Sequence, residues 1–239
     1  MKTYIDNLLW WLKATNDQVF DRFSGEYPDA IQRGKSDQRF LYVPGKRKNR
    51  VLLIAHADTV WDKEDEPRRP VILKGIINSA SDTVGIGADD RAGCSILWEL
   101  RELGHSLLIL NGEEEGGIAS TWLKTASINR KLYNEINKTH CFAIEFDRRN
   151  GHDFKCYEVG TDEFREYCHK MTGYTEPNRT SYTDICQICR DICGVNLSVG
   201  YRNEHYPEEQ LVIKDYLRTL SIARKWLRRK NVPLFMLSR

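Results

Sequence analysis

Five short segments carry histidines and carboxylates that together could build a hydrolytic metal site. They are His56-Ala57-Asp58, Asp89-Asp90-Arg91-Ala92-Gly93, Glu113-Glu114-Glu115-Gly116-Gly117, Glu145-Phe146-Asp147 and Asn203-Glu204-His205. Imidazole nitrogen and carboxylate oxygen are ligands that zinc takes, and catalytic zinc sites keep one position open for water. Each segment alone has a plainer reading. Asp89-Asp90 before a helix could be an N-terminal cap favoured by the helix dipole. The three glutamates before Gly116-Gly117 could be a solvated turn, Asp147 an ion-paired strand end beside Arg148 and Arg149, and His205 a loop residue. Five such coincidences in this order explain the chain less well than one metal site.

The elements around these segments are placed to bring them together. Val51 to Ala55 is a continuous apolar run, read as a buried strand that delivers His56. Ser106 to Asn111 is a second such strand, ending just before the glutamates, and Cys141 to Ile144 a third, leading into Glu145 and Asp147. Val71 to Leu73 and Val195 to Val199 also read as strands. Helices are expected near the N-terminus (Ile5, Leu8, Leu9 and Leu12 on one stripe), from Arg91 to Leu103 before Gly104, from Asp162 to Met171, from Asp184 to Ile192, and from Glu208 to Arg229. Strands alternating with helices predict an α/β fold, a three-layer sandwich with a mostly parallel mixed central sheet flanked by helices. Such sheets bind ligands beyond the carboxyl ends of their strands, which is where the polar segments fall.

Composition narrows the function classes. With 36 basic and 34 acidic side chains the net charge is +2, so whole-chain electrostatics give no support to nucleic acid as a partner. The basic run from Arg224 to Lys230 reads as one solvated helix face. No apolar run is long enough to span a membrane, and the N-terminal segment makes a poor secretory signal. Seven cysteines without such a signal point to free thiols in a reducing, cytoplasmic setting. Cys186, Cys189 and Cys193 fall at i, i+3 and i+7, the spacing of one helical face, a core-packing pattern rather than an iron–sulfur site. Asn178-Arg179-Thr180 and Asn196-Leu197-Ser198 match the glycosylation pattern, which carries little weight in a cytosolic chain.

Taken together, these segments resemble the co-catalytic dinuclear zinc exopeptidase superfamily, which includes peptidase T, the carboxypeptidase G type and bacterial zinc aminopeptidases. The resemblance runs from about the first strand to the closing helix. It implies one ion held by His56, Asp89 and Asp147, and a second held by Asp89, Glu115 and His205. It further implies that Asp58 orients His56 and that Glu114 is the general base. Cobalt or manganese can occupy the same ligands as the two zinc ions. Glu145 and Asp147 have the same strand parity, so either could face the site; the family's ligand closes the strand, which favours Asp147.

Some relatives insert a lid domain between the fourth and fifth ligand segments. Only Arg148 to Glu204 lies between them here, so residues 1–239 are expected to form one catalytic domain without a lid. Tyr201 and Arg202 are candidates for contacting substrate. Asp184, in Ser181-Tyr182-Thr183-Asp184, is a third, with a helix N-cap as the plain reading of that segment. The expected activity is hydrolysis of an amide bond in a short peptide, with an aminopeptidase preferred because no lid builds a carboxylate-reading pocket. An N-acyl amino acid deacylase would use the same groups, and a non-catalytic binding domain would keep the fold with a broken ligand set. Oligomeric state is not legible in the sequence.

Overall fold

The computed structural model describes residues 2–178 and 181–237. In chain order its principal elements are α1 (Lys2–Lys13), α2 (Asn16–Glu26), β1 (Ile31–Arg33), β2 (Phe40–Val43), β3 (Leu52–His56), β4 (Pro70–Leu73), β5 (Ile76–Ser79), α3 (Ala88–Leu100), β6 (Ser106–Leu110), α4 (Ile118–Thr125), α5 (Arg130–Thr139), β7 (Ala143–Arg148), β8 (Phe154–Lys155), α6 (Asp162–Thr172), α7 (Ile185–Ile188), β9 (Gly194–Ser198), β10 (Tyr201–Arg202), β11 (Gln210–Val212) and α8 (Ile213–Leu227). The central sheet has the order β1-β2-β6-β3-β7-β9-β8. β3 pairs in parallel with β6 and β7, and β7 with β9, while β1, β2 and β8 join antiparallel. This is the mixed α/β sandwich that the alternating strand and helix patterns predict.

Side-chain alternation shows why the sheet is covered on both faces. Leu53 and Ala55 of β3, Leu107 and Ile109 of β6, and Ile144 and Phe146 of β7 enter one core, with Leu8, Trp11 and Leu12 of α1, Phe20 and Phe23 of α2, and α3, α6 and α8. Leu52 and Ile54, Leu108 and Leu110, and Ala143 enter the other, with residues of α4, α5 and α7. A strand buried on both faces has no solvent side on which to place polar residues, so it reads as an unbroken apolar run. Each fully buried leucine or isoleucine contributes about 2 kcal/mol relative to exposure. Among the described residues no helix is long and apolar enough to cross a membrane.

Three elements differ from their sequence expectation. The 71–73 strand forms, but in a separate antiparallel sheet of order β10-β11-β5-β4, at whose edge Leu73 is 63% exposed. The 184–192 helix is only α7, because Cys189 turns to extended φ/ψ and the chain drops into β9. Cys186, Cys189 and Cys193 therefore share no helical face, and all seven cysteines are free. The closing helix begins at Ile213 rather than Glu208, since Gln210–Val212 pairs with β5. Of the two glycosylation matches, Asn196 is fully buried in β9, and Arg179 and Thr180 lie outside the described residues.

Candidate metal centre and cleft

β3 lies between β6 and β7: the chain passes from β3 to β6 on one side by way of α3, then from β6 back across β3 to β7 on the other side by way of α4 and α5. That arrangement opens a crevice at the carboxyl ends of the strands. His56 closes β3, the three glutamates follow β6, Asp147 lies near the end of β7, and β9 leads through Gly200 to Tyr201 and the loop bearing His205. Asp89 comes from the start of α3, where Asp89 and Asp90 depart from helical φ/ψ. His205 and Asn203 take positive φ angles, 67° and 55°, in a tight loop that turns the imidazole back over the sheet edge.

Two groups of potential ligand atoms result, His56 with Asp89 and Asp147, and Asp89 with Glu114 and His205. Asp89 belongs to both and divides its oxygens between them. Its Oδ1 lies 3.2 Å from His56 Nε2, and its Oδ2 lies 3.4 Å from His205 Nε2. His56 Nε2 is also 3.3 Å from Asp147 Oδ1, and His205 Nε2 is 2.9 Å from Glu114 Oε2. On the far side of its ring, His56 Nδ1 donates to the Asp58 carbonyl at 3.0 Å, with Asp58 Oδ1 at 3.4 Å. Asp58 Oδ2 in turn accepts from the Glu114 backbone at 3.1 Å, so one carboxylate ties the β3 end to the glutamate turn.

The electrostatics follow from crowding acids around two imidazoles. Hydrogen bonds to Asp89 and Glu114 push His205 up to about 11. Burial alone would lower His56, but Asp147, Asp58 and Asp89 outweigh it and hold the ring well above its ordinary value. Burial would likewise raise Asp89, yet His205 and His56 hold it below the usual carboxylate range. Asp147 is pushed up by burial and by Asp89, and Glu114 by burial. Glu113, in neither group, is raised to about 9 by burial and by nearby Asp147. Imidazolium protons thus supply the positive charge that these carboxylates require, at the places where cations would supply it.

The glutamate triplet departs from the expected register by one residue. Glu115, expected among the ligands, points outward and pairs with the exposed Lys63. Glu114, expected as the base, occupies the place foreseen for Glu115, and its buried Oε1 has no hydrogen-bond partner. Glu113 lines the cleft instead. The turn explains the shift. Gly112, Gly116 and Gly117 all take positive φ, and the Glu114 backbone is anchored on Asp58, which together fix which carboxylates face inward.

Glu145 lies behind Asp147 rather than against His56. Thr183 Oγ1 sits 2.9 Å from Glu145 Oε2 and 2.8 Å from Asp147 Oδ2. Burial and Asp147 push Glu145 well above its ordinary value, and Thr183 bridges the two acids. The Thr183 hydroxyl thus serves these acids, and the helix expected to be capped by the 181–184 segment has no side-chain cap hydrogen bond.

Tyr201 is buried, and its hydroxyl donates to Asp147 Oδ1 at 3.1 Å. Arg202 points away, half exposed, 3.7 Å from Asp215, and does not line the cleft. Asp184 is buried against Gly117 with its carboxyl raised to about 7 by burial, and it too lies off the cleft wall. Of the three substrate-contact candidates, only Tyr201 reaches the cleft. That cleft, about 230 Å³, also presents Arg149 and Glu204.

One supporting residue escaped the sequence reading. Glu209 is buried and accepts from Gly87 N at 2.7 Å, Asp89 N at 3.1 Å and Trp61 Nε1 at 3.1 Å. It fixes the backbone that carries Asp89. Its only sequence signal, Pro207-Glu208-Glu209 two residues beyond His205, looks like an ordinary helix start. Arg91, wholly buried, braces the loop after β3 through the Ala57 carbonyl and both oxygens of Asp62 at 2.9 Å.

No family model and no curated relative matches the chain. Solved structures do share its fold. The chain superposes on the aminopeptidase PepT from Bacillus cereus with a TM-score of 0.65 at 13% identity, over 92% of this chain and 96% of that one. A tripeptidase from Staphylococcus aureus gives 0.66 at 12% identity, over 95% and 98%. The aminopeptidase APDkam598 from Desulfurococcus kamchatkensis gives 0.62 at 12%, over 95% of each. At these identities the likeness establishes a common fold.

Proposed function

We propose that this chain is a two-metal aminopeptidase that removes the N-terminal residue of a short peptide. The observation that carries this reading is Asp89, which turns one carboxylate oxygen to each of two His-carboxylate groups. The donor set fits zinc, being imidazole and carboxylate in both groups, and Glu114 of the second group keeps one buried oxygen without a hydrogen-bond partner. His56, Asp89 and Asp147 would hold one ion, and Asp89, Glu114 and His205 the other. The carboxylates of Asp89, Asp147 and Glu114 would offset three of the four positive charges of two such ions. When bound, such a pair polarises the scissile carbonyl and lowers the pKa of water towards about 7.

The remaining roles fall to the chain's own groups. Glu113 lines the cleft outside both groups, so we assign it, rather than Glu114, as the general base. It takes the water proton and returns it to the leaving amine nitrogen. Asp58 holds the His56 ring through Nδ1, as carboxylates behind metal-bound histidines do. Tyr201 and Thr183 each donate to Asp147 and fix its orientation. A reducing, cytoplasmic setting agrees with the free cysteines.

The peptidase names of the fold neighbours agree with a peptide substrate. The test is hydrolysis of leucine amide, tripeptides and N-acyl leucine by zinc-loaded protein. Cleavage of the free-amine substrates, abolished by a chelator and reduced about 10²- to 10⁴-fold by Glu113→Gln, is the expected result. Cleavage of N-acyl leucine alone would make the protein a deacylase, and no cleavage by fully loaded protein would refute an enzymatic role.

A further inference from the structure

Beside the two ligand groups, the cleft wall carries a carboxylate that neither group uses. Glu204 precedes His205, its side chain is 10% exposed, and its Oε2 is buried without a hydrogen-bond partner. The other oxygen pairs with Arg149, whose guanidinium is 52% exposed at the cleft mouth. A buried carboxylate oxygen without a donor is uncommon in a folded protein. Here the free oxygen belongs to a residue that lines the cleft, and the arginine fixes the rotamer from the solvent side. Glu204 lines the same cleft as Tyr201, whose hydroxyl touches Asp147 of the first ligand group.

We infer that Glu204 receives the α-ammonium group of the substrate. This rests on the aminopeptidase reading and adds the residue that makes a free N-terminus a requirement. In an α-amino acid the nitrogen is two bonds from the carbonyl carbon, so its acceptor must stand next to the groups that handle the carbonyl. Glu204, adjacent in sequence to His205 and sharing the cleft with Asp89 and Asp147, meets that condition. Arg149 leaves one oxygen for the incoming donor, and an ammonium supplies both the missing hydrogen bond and the opposite charge. Acylation removes the charge and adds bulk at the same point, so blocked peptides are excluded by the same residue.

The experiment measures binding by calorimetry, with and without zinc, to protein carrying Glu113→Gln, which is expected to hold an amide uncleaved. The probes are leucine amide, N-acetyl-leucine amide and Nα-acetyl-lysine amide, the last presenting an ammonium only on its side chain. Leucine amide is expected to bind about 10- to 100-fold more tightly than either acetylated probe. Adding Glu204→Gln should bring all three within about twofold, while Glu204→Asp, which keeps the charge, should retain part of the preference and guards against a folding defect. A preference unchanged by Glu204→Gln, equal binding of Nα-acetyl-lysine amide, or no binding of leucine amide at millimolar concentration would overturn the inference. Hydrolysis by the unsubstituted protein separates the two claims. Binding preference without turnover sinks the enzymatic reading alone, and turnover indifferent to Glu204→Gln sinks this one alone.

Discussion

Replacing Glu209 with alanine should damage the site while leaving every proposed ligand side chain in the sequence. The carboxylate satisfies three buried donors, the indole of Trp61 and the backbone N–H groups of Gly87 and Asp89. Each buried donor left unpaired costs about 1–3 kcal/mol, and three that share one space come to about 3–5 kcal/mol once water enters. For a chain of this size that is a fall in melting temperature of about 10 °C. The loss should depend on pH. Burial raises Glu209 from 4.5 to about 7, so its folded form holds a proton that the unfolded chain releases. Stability linked to that proton is fully present below pH 4.5 and is lost as pH rises through 7. The gap between the native chain and Glu209→Ala should therefore narrow by about 2.5 kcal/mol between pH 5 and pH 8, at about 1.36 kcal/mol per pKa unit. Glu209→Gln keeps an oxygen for Trp61 and Gly87 but turns an NH₂ group towards the Asp89 N–H, and should lose about half as much. Urea melts of the chelated proteins at both pH values measure this, and zinc competition should show affinity weakened about 10- to 100-fold. A loss under 1 kcal/mol at pH 5, or a gap that widens with pH, would refute the reasoning.

Two further outcomes follow from the same geometry. A Cβ on Gly93 would stand 2.2 Å from the Phe146 carbonyl oxygen and 2.3 Å from the Asp90 carboxylate. The first is backbone that cannot yield, so Gly93→Ala should destabilise by at least about 2 kcal/mol in a thermal melt, and an unchanged melt would contradict the close approach of α3 to β7. At pH 7 the metal-free protein holds His56 and His205 protonated, because their carboxylate partners raise both. Zinc binding should therefore release at least two protons per chain, read as the buffer dependence of the calorimetric enthalpy, with one fewer in His205→Ala; uptake independent of buffer would count against these imidazoles as ligands.

Much of the fold and part of the site could be read from residues whose local pattern has one good explanation. Val51–Ala55, Ser106–Leu110 and Cys141–Ile144 are largely apolar on both faces, as strands of a covered parallel sheet are, and each ends within four residues of a group that the structure gathers with the others. The glutamate register could not be read the same way. Glu113, Glu114 and Glu115 are chemically identical, and the choice among them is made by the positive-φ glycines of the turn and the Asp58 anchor, neither of which composition reveals. Glu209 was hidden for another reason. Gln210-Leu211-Val212 is short and apolar and fits the start of an amphipathic helix as well as a strand, so the buried acid before it looked like a solvated first turn. Cys186, Cys189 and Cys193 misled by their spacing, since the helix they implied stops after one turn.

The most direct measurement is zinc content per chain in three purified proteins: the unsubstituted chain, Glu114→Ala and Glu115→Ala. Two ions are expected in the first and in Glu115→Ala, whose side chain pairs with Lys63 on the surface, and no more than one in Glu114→Ala. Two ions retained by Glu114→Ala and lost by Glu115→Ala would contradict the ligand register, and none in the unsubstituted chain at saturating zinc would contradict the metal site itself.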